Sequence, residues 1–148
     1  MTKQKAILAA GCFWGVEELL REMPGVLDTQ VGYCGGQAAE DAFYTKVKTG
    51  QTGYAEAVLI NFDSDILSFE KLLQAFFKLH DPTTMNQQGN DVGSQYRSAI
   101  FYFDDQQKVT AEKVKAEVEA SKKWSKPIVT QIIPAAPFYN AEEYHQDY

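Results

Sequence analysis

A chain of 148 residues, 45% hydrophobic and 23% charged, can bury a core of its own and has the composition of one globular domain, read here as residues 1–148. A net charge of −6 gives no general electrostatic reason to bind DNA, RNA or an anionic membrane, and no apolar run is long enough to cross a bilayer. The opening residues lack the apolar stretch and small-residue cleavage site of a signal peptide, which points to the reducing cytoplasm, where two cysteines read as free or catalytic thiols.

Residues 5–10 form a short apolar run, read as a buried strand. Phe13, Val16, Leu19, Leu20 and Met23 then recur at helical spacing until Pro24-Gly25 stops the helix. Residues 26–33 read as a second strand, ended by Gly35-Gly36, and residues 54–62 as a third. Ser68 is placed to cap a helix with an apolar stripe of Phe69, Leu72, Leu73, Phe76 and Phe77, ending near His80-Asp81-Pro82. A fourth strand spans 98–103, a charged helix runs from Asp104 or Asp105 to about Trp124, and a last strand over 128–133 precedes a polar, irregular tail. No repeat, low-complexity tract or linker interrupts the chain.

The first six elements run βαββαβ, the pattern of a ferredoxin-like core: a mainly antiparallel sheet with helices packed on it, in an α/β (α+β) fold. In that topology the ends of strands one and two and the starts of strands three and four share one sheet edge. Cys12, Cys34, Glu56, Asn90, Asp91, Gln95, Tyr96 and Arg97 all fall there, so the topology gathers them without reference to their chemistry. Cys12 also sits where a strand hands over to a helix, and the unpaired N–H groups of a helix N-terminus favour a thiolate.

Gly11-Cys12-Phe13-Trp14-Gly15 resembles the signature of the A-type peptide methionine sulfoxide reductases. So do Thr52-Gly53-Tyr54-Ala55-Glu56-Ala57-Val58, the run from Gly89 through Asn90-Asp91 and Gln95-Tyr96-Arg97 to Ser98, and the tail Ala141-Glu142-Glu143-Tyr144-His145. The likeness spans essentially the whole chain in the same order. It implies reduction of the S-epimer of methionine sulfoxide, free or in peptides and proteins, with thioredoxin or another thiol as the electron source and no metal or organic cofactor. Cys12 would be the nucleophile and Glu56 the proton donor. Tyr44 and Tyr96 would hydrogen-bond the sulfoxide oxygen, Asp91 would hold the site together, and Phe13 and Trp14 would cradle the S-methyl group. The chain departs from the family at Tyr54, where histidine is usual, at Asp41-Ala42-Phe43 before Tyr44, and at Gln87, where arginine is common.

That chemistry needs such a set. A sulfoxide sulfur is weakly electrophilic until its oxygen is protonated or strongly hydrogen-bonded, so attack requires a nucleophile, an acid and oxyanion-type donors. Glu56 shares a strand face with Val58, Ile60 and Phe62, where desolvation would favour the protonated carboxyl. Transfer of the oxygen leaves Cys12 as a sulfenic acid that a second thiol must reduce. No cysteine follows Cys34, whereas many family members carry resolving cysteines in a C-terminal extension. Either Cys34 attacks, although two strands separated by a third hold their Cα atoms about 10 Å apart against the roughly 4.4–6.8 Å of a disulfide, or an external thiol does.

Plainer readings stand beside these. Phe13 and Trp14 fit a core, Arg97 and Asp91 a structural ion pair, Cys34 an inert thiol, His80 and His145 structural roles, and the charged helix a solvated face. The chain is expected to act as a monomer. The rival functions are a sulfoxide-binding module or redox sensor impaired by the missing C-terminal cysteines, and a thiol peroxidase or disulfide oxidoreductase. The latter lacks a Cys-x-x-Cys motif and gives the aromatic pair no purpose.

Overall fold

A computed structural model describes residues 2–11, 13–36, 47, 53–88, 91–124, 126–135 and 138–141; the side chains of Phe13, Asp91, Val92 and Ser94 lie outside the description. The elements are β1 (Lys3–Ala10), α1 (Phe13–Leu20), β2 (Val26–Cys34), β3 (Ala55–Asp63), α2 (Phe69–Lys78), β4 (Gln87–Gln88), β5 (Asp91–Val92), a 3₁₀ turn (Ser94–Tyr96), β6 (Ser98–Tyr102), α3 (Asp105–Ala120), β7 (Gln131–Pro134) and β8 (Tyr139–Asn140).

Six strands form one sheet in the order β7-β6-β1-β3-β2-β8, whose inner four reproduce the ferredoxin-like order. β3 is antiparallel to both β1 and β2, and β6 is antiparallel to β1. β7 adds in parallel beside β6, and β8 in antiparallel fashion beside β2. β4 and β5 make a separate hairpin, which hydrophobic periodicity did not indicate because each strand has only two residues.

Strand alternation divides the core. On the front face Leu8, Val31, Tyr33, Val58, Ile60, Phe62 and Ile100 meet Val16 and Leu20 of α1, Leu72, Leu73, Phe76 and Phe77 of α2, and Ala111 and Val114 of α3. The back face is a thinner layer of Ile7, Ala9, Cys34, Ala55, Ala57, Ala99 and Phe101, covered by Ile133, Ala135 and Phe138. Ser68 caps α2 by accepting from Lys71 N at 3.1 Å, and Asp104 caps α3 by accepting from Gln107 N at 2.8 Å.

Several expectations change in detail: α1 ends at Leu20, short of Met23, and the tail expected to be irregular supplies β8. Leu19 is 56% exposed, and Glu17 takes its place on the buried stripe of α1, its carboxylate accepting from Thr29 Oγ1 at 2.9 Å. α3 closes at Ala120, short of Trp124, where Lys122 enters the left-handed region at φ 57°. The last strand starts at Gln131, because Val129 N is engaged by the Pro82 carbonyl at 2.8 Å before the ladder begins.

Candidate active site

One sheet edge gathers the chemistry. Ala10 pairs with Ser98, Tyr33 with Glu56, and Cys34 with Ala55. The β1–β3 register runs through Leu8↔Val58, and two further residues bring Ala10 level with Glu56. Ser98, Ala10, Glu56 and Tyr33 therefore form a row across four strands, all on the front face, with directly opposed Cβ atoms about 5 Å apart. Ala10 is the small member of that row, next to Glu56. Glu56 is only 2% exposed, so it is no solvated strand-end carboxylate.

β1 ends at Ala10 and α1 opens at Phe13, so the strand-to-helix handover brackets position 12. Cys12 and Tyr44 themselves lie outside the described residues, as do the side chains of Phe13 and Asp91. Gly11 has φ +96°, and a Cβ there would lie 2.8 Å from Gln88 Cβ and Cγ. Only glycine meets both demands. Gln88 is itself held by a reciprocal pair: Asp81 N donates to its Oε1, and its Nε2 donates to Asp81 O, both at 2.8 Å. Gln88 pairs with Asp91 in the hairpin, so the Asp91 backbone is carried to the same edge. Tyr96 is half-buried in the 3₁₀ turn, its N donating to Gly93 O at 3.0 Å, and that turn packs against β3. Trp14 is half-buried against the front core.

Cys34 stands apart. Its side chain is fully buried in the back-face layer, with the sheet between it and the Glu56 carboxyl. A Cβ on Gly36 would fall 2.1 Å from the Tyr54 ring, and one on Gly35, at φ +83°, would lie 3.0–3.2 Å from Phe101 and Arg97 Nη2. The glycine pair thus serves close packing around Cys34.

Arg97 lies on that back face at 8% exposure, donating from Nε to Gln131 Oε1 and from Nη2 to Gly53 O, each at 3.0 Å. Burial pulls its guanidinium below the ordinary value, and the neighbouring Cys34 offsets part of that shift. Among the described residues no three His, Cys, Asp or Glu side chains group as a metal ion requires.

Sequence reasoning missed three features of this edge: the Gln88–Gly11 contact, the reach of Arg97 to Gly53 and Gln131, and the burial of Glu17. Only the last left a signal, as a carboxylate one turn from Phe13 on an apolar stripe.

The chain is an α/β protein in which the sheet edge that gathers these polar residues is also the edge at which α1 begins. Residues 4–148 match the model of the peptide methionine sulfoxide reductase family. The chain is 52% identical over 145 residues to the peptide methionine sulfoxide reductase MsrA of Methanosarcina mazei, covering 98% of this chain and 68% of the relative. Among solved structures it resembles reduced Mxr1 from Saccharomyces cerevisiae, with a TM-score of 0.93, 37% identity, and coverage of 99% of this chain and 83% of that one. It also resembles Mxr1 in complex with Trx2, with a TM-score of 0.70, 30% identity, and coverage of 97% and 84%. The chain belongs to the peptide methionine sulfoxide reductase family.

Proposed function

We propose that the chain, acting as a single catalytic domain over residues 1–148, reduces the S-epimer of methionine sulfoxide, free or in peptides and proteins. The observation that carries the reading is Glu56: a carboxyl buried in the front core, in the row that also holds Ala10, two residues before position 12. The Cys12 thiolate attacks the sulfoxide sulfur while Glu56 gives its proton to the oxygen, with Tyr96 and Tyr44 as hydrogen-bond donors to that oxygen. The thiolate sulfur gains the oxygen and loses two electrons, the substrate sulfur gains two, and the products are methionine and a Cys12 sulfenic acid. Asp91 supports the site, and Phe13 and Trp14 form the wall against the S-methyl group.

The sulfenic acid is then reduced by thiol attack, which forms a disulfide and releases water. The burial of Cys34 on the opposite face, locked by packing at Gly35 and Gly36, supports an external thiol over Cys34 in this step. Thioredoxin is the leading reductant, since the structurally similar Mxr1 has been solved with Trx2. The impaired-sensor reading has no observation of its own in its favour. No helix among the described residues is long and apolar enough to cross a membrane; action as a monomer in the cytoplasm is part of the proposal.

The experiment offers separated R and S epimers of a sulfoxide peptide to wild type, Cys12→Ser, Glu56→Gln and Cys34→Ser, with and without thioredoxin. Wild type should release stoichiometric methionine peptide from the S epimer before any reductant is added. Cys12→Ser should release none, and Glu56→Gln should be slower by about 10²–10⁴-fold. Cys34→Ser should keep thioredoxin-supported turnover. Activity confined to the R epimer, or survival of Cys12→Ser, would overturn the proposal; loss of turnover in Cys34→Ser would return the resolving role to that thiol.

A further inference from the structure

We infer that His80 is a positioning residue for Tyr96, acting through Ser98; the inference rests on the reading of Tyr96 as a donor to the sulfoxide oxygen. His80 Nδ1 lies 2.7 Å from the Phe76 carbonyl oxygen and Nε2 lies 2.7 Å from Ser98 Oγ. A carbonyl can only accept, so Nδ1 carries the proton and Nε2 presents its lone pair to the Ser98 hydroxyl. Ser98 Oγ, having donated to the ring, accepts from Thr130 Oγ1 at 2.7 Å. The chain of bonds has one direction: Thr130 to Ser98 to His80 to Phe76. All three polar side chains are buried, so each depends on the next for its partner.

The relay sits where it can control geometry. His80 follows α2 and Ser98 opens β6, eighteen positions apart, and the segment between them carries the β4–β5 hairpin and the turn with Tyr96. One hydrogen bond therefore closes the mouth of that whole segment, and Tyr96 is two residues from the knot. Ser98 is also the ladder partner of Ala10, so the same point sets the turn against the row that contains Glu56. Thr130 is fixed in turn by its neighbour Val129, whose N donates to Pro82 O at 2.8 Å, and by Lys115 Nζ, which donates to Thr130 O at 3.1 Å. On the opposite face Arg97, between Tyr96 and Ser98, is anchored to Gly53 and Gln131. Apolar packing at residue 80 would fill the same volume without setting a donor–acceptor distance. The imidazole also stays neutral as the relay requires, its pKa lowered to about 4 chiefly by burial.

Two amide replacements separate positioning from mere stability. Glutamine at residue 80 can place its carbonyl oxygen where Nε2 accepts from Ser98; asparagine can place its amide where Nδ1 donates to Phe76 and leaves Ser98 without its acceptor. Single-turnover release of methionine peptide from an (S)-methionine sulfoxide peptide is measured by quenched flow, per folded chain, beside the Kd for the same peptide. His80→Asn and Ser98→Ala should slow the saturated rate by about 10–100-fold with Kd changed by less than about threefold, while His80→Gln stays within about threefold of wild type. Ser98→Ala, which removes a single oxygen, carries the test if His80→Asn does not fold. Equal rates in the Asn and Gln variants, or a wild-type rate in Ser98→Ala, would overturn the inference. An inactive wild type would instead sink the functional reading on which it stands.

Discussion

The two faces of the sheet bury polar groups by different rules. On the front, under the helices, Glu17, Glu56, His80, Ser98 and Thr130 are buried among large apolar side chains, and the candidate proton donor is one of them. On the back the layer is thin and alanine-rich, and a single guanidinium, that of Arg97, reaches across to the segments beginning β3 and β7. The front holds groups whose protonation or lone pairs can do work. The back holds the edge in shape and encloses Cys34. Cys34 and Glu56 lie near each other along the ladder yet on opposite sides of it, which is why the sheet edge collects both while the front face holds only Glu56 of the two.

Substitution on each face should break this comparison cleanly if it is wrong. Arg97→Ala removes the hydrogen bonds that a buried charged donor makes to Gly53 O and Gln131 Oε1, a loss of about 3 kcal/mol. Glu56→Gln keeps the shape of a protonated carboxyl, so its stability should stay within about 1 kcal/mol of wild type while its chemistry fails. Urea unfolding of both variants, set beside their single-turnover rates per folded chain, checks the division. A Glu56→Gln protein destabilised as much as Arg97→Ala would show that both faces serve structure alike.

A smaller effect follows from the front-face imidazole. His80 titrates at about 4 in the folded chain against 6.5 in an unperturbed side chain, because burial outweighs the hydrogen bond to Phe76 and the charge of Asp81. The unfolded chain takes up this proton first as pH falls. The contribution is therefore fully present above pH 6.5 and is lost as pH drops toward 4, with a total of up to about 3 kcal/mol. The pH slope of the urea midpoint should be steeper in wild type than in His80→Gln across that window, and identical slopes would contradict it.

Much of this architecture was legible in the sequence, for physical reasons that differ by element. The stripes of Phe69, Leu72, Leu73, Phe76 and Phe77 and the alternation along β3 report directly which side faces a core, and the βαββαβ succession of elements gives the order of the inner four strands, though not the places of β7 and β8. The cap Ser68 was readable because a serine directly before an apolar stripe can accept from the amide three residues on, whereas Asp104 and Asp105 stood as equal openers of the last helix until the bond from Gln107 N chose Asp104. Glu56 was placed by the same alternation. The His80–Ser98–Thr130 relay was not, because its members are far apart in sequence and carry no periodic signal. Arg97 was read as a partner for Asp91, since charge is visible in a sequence while a reach toward a backbone carbonyl is not. The short hairpin escaped for want of length.

The finest test divides the front face itself into a near and a far edge. Ser68 begins α2 at the end remote from His80, and a ten-residue helix separates them by about 15 Å. Ser68→Ala leaves the Lys71 amide without its cap and should cost about 1 kcal/mol in urea unfolding. The rate of sulfoxide reduction per folded chain should not change, because the far end of the helix can fray while the hydrogen bond from Ser98 to His80 still fixes the near end. A Ser98→Ala protein matched to it in stability by added urea should be slow under the same conditions. If Ser68→Ala slowed to the same extent, catalysis would be following the docking of α2 as a whole, and the edge row would lose its claim to be the part of the front face that matters.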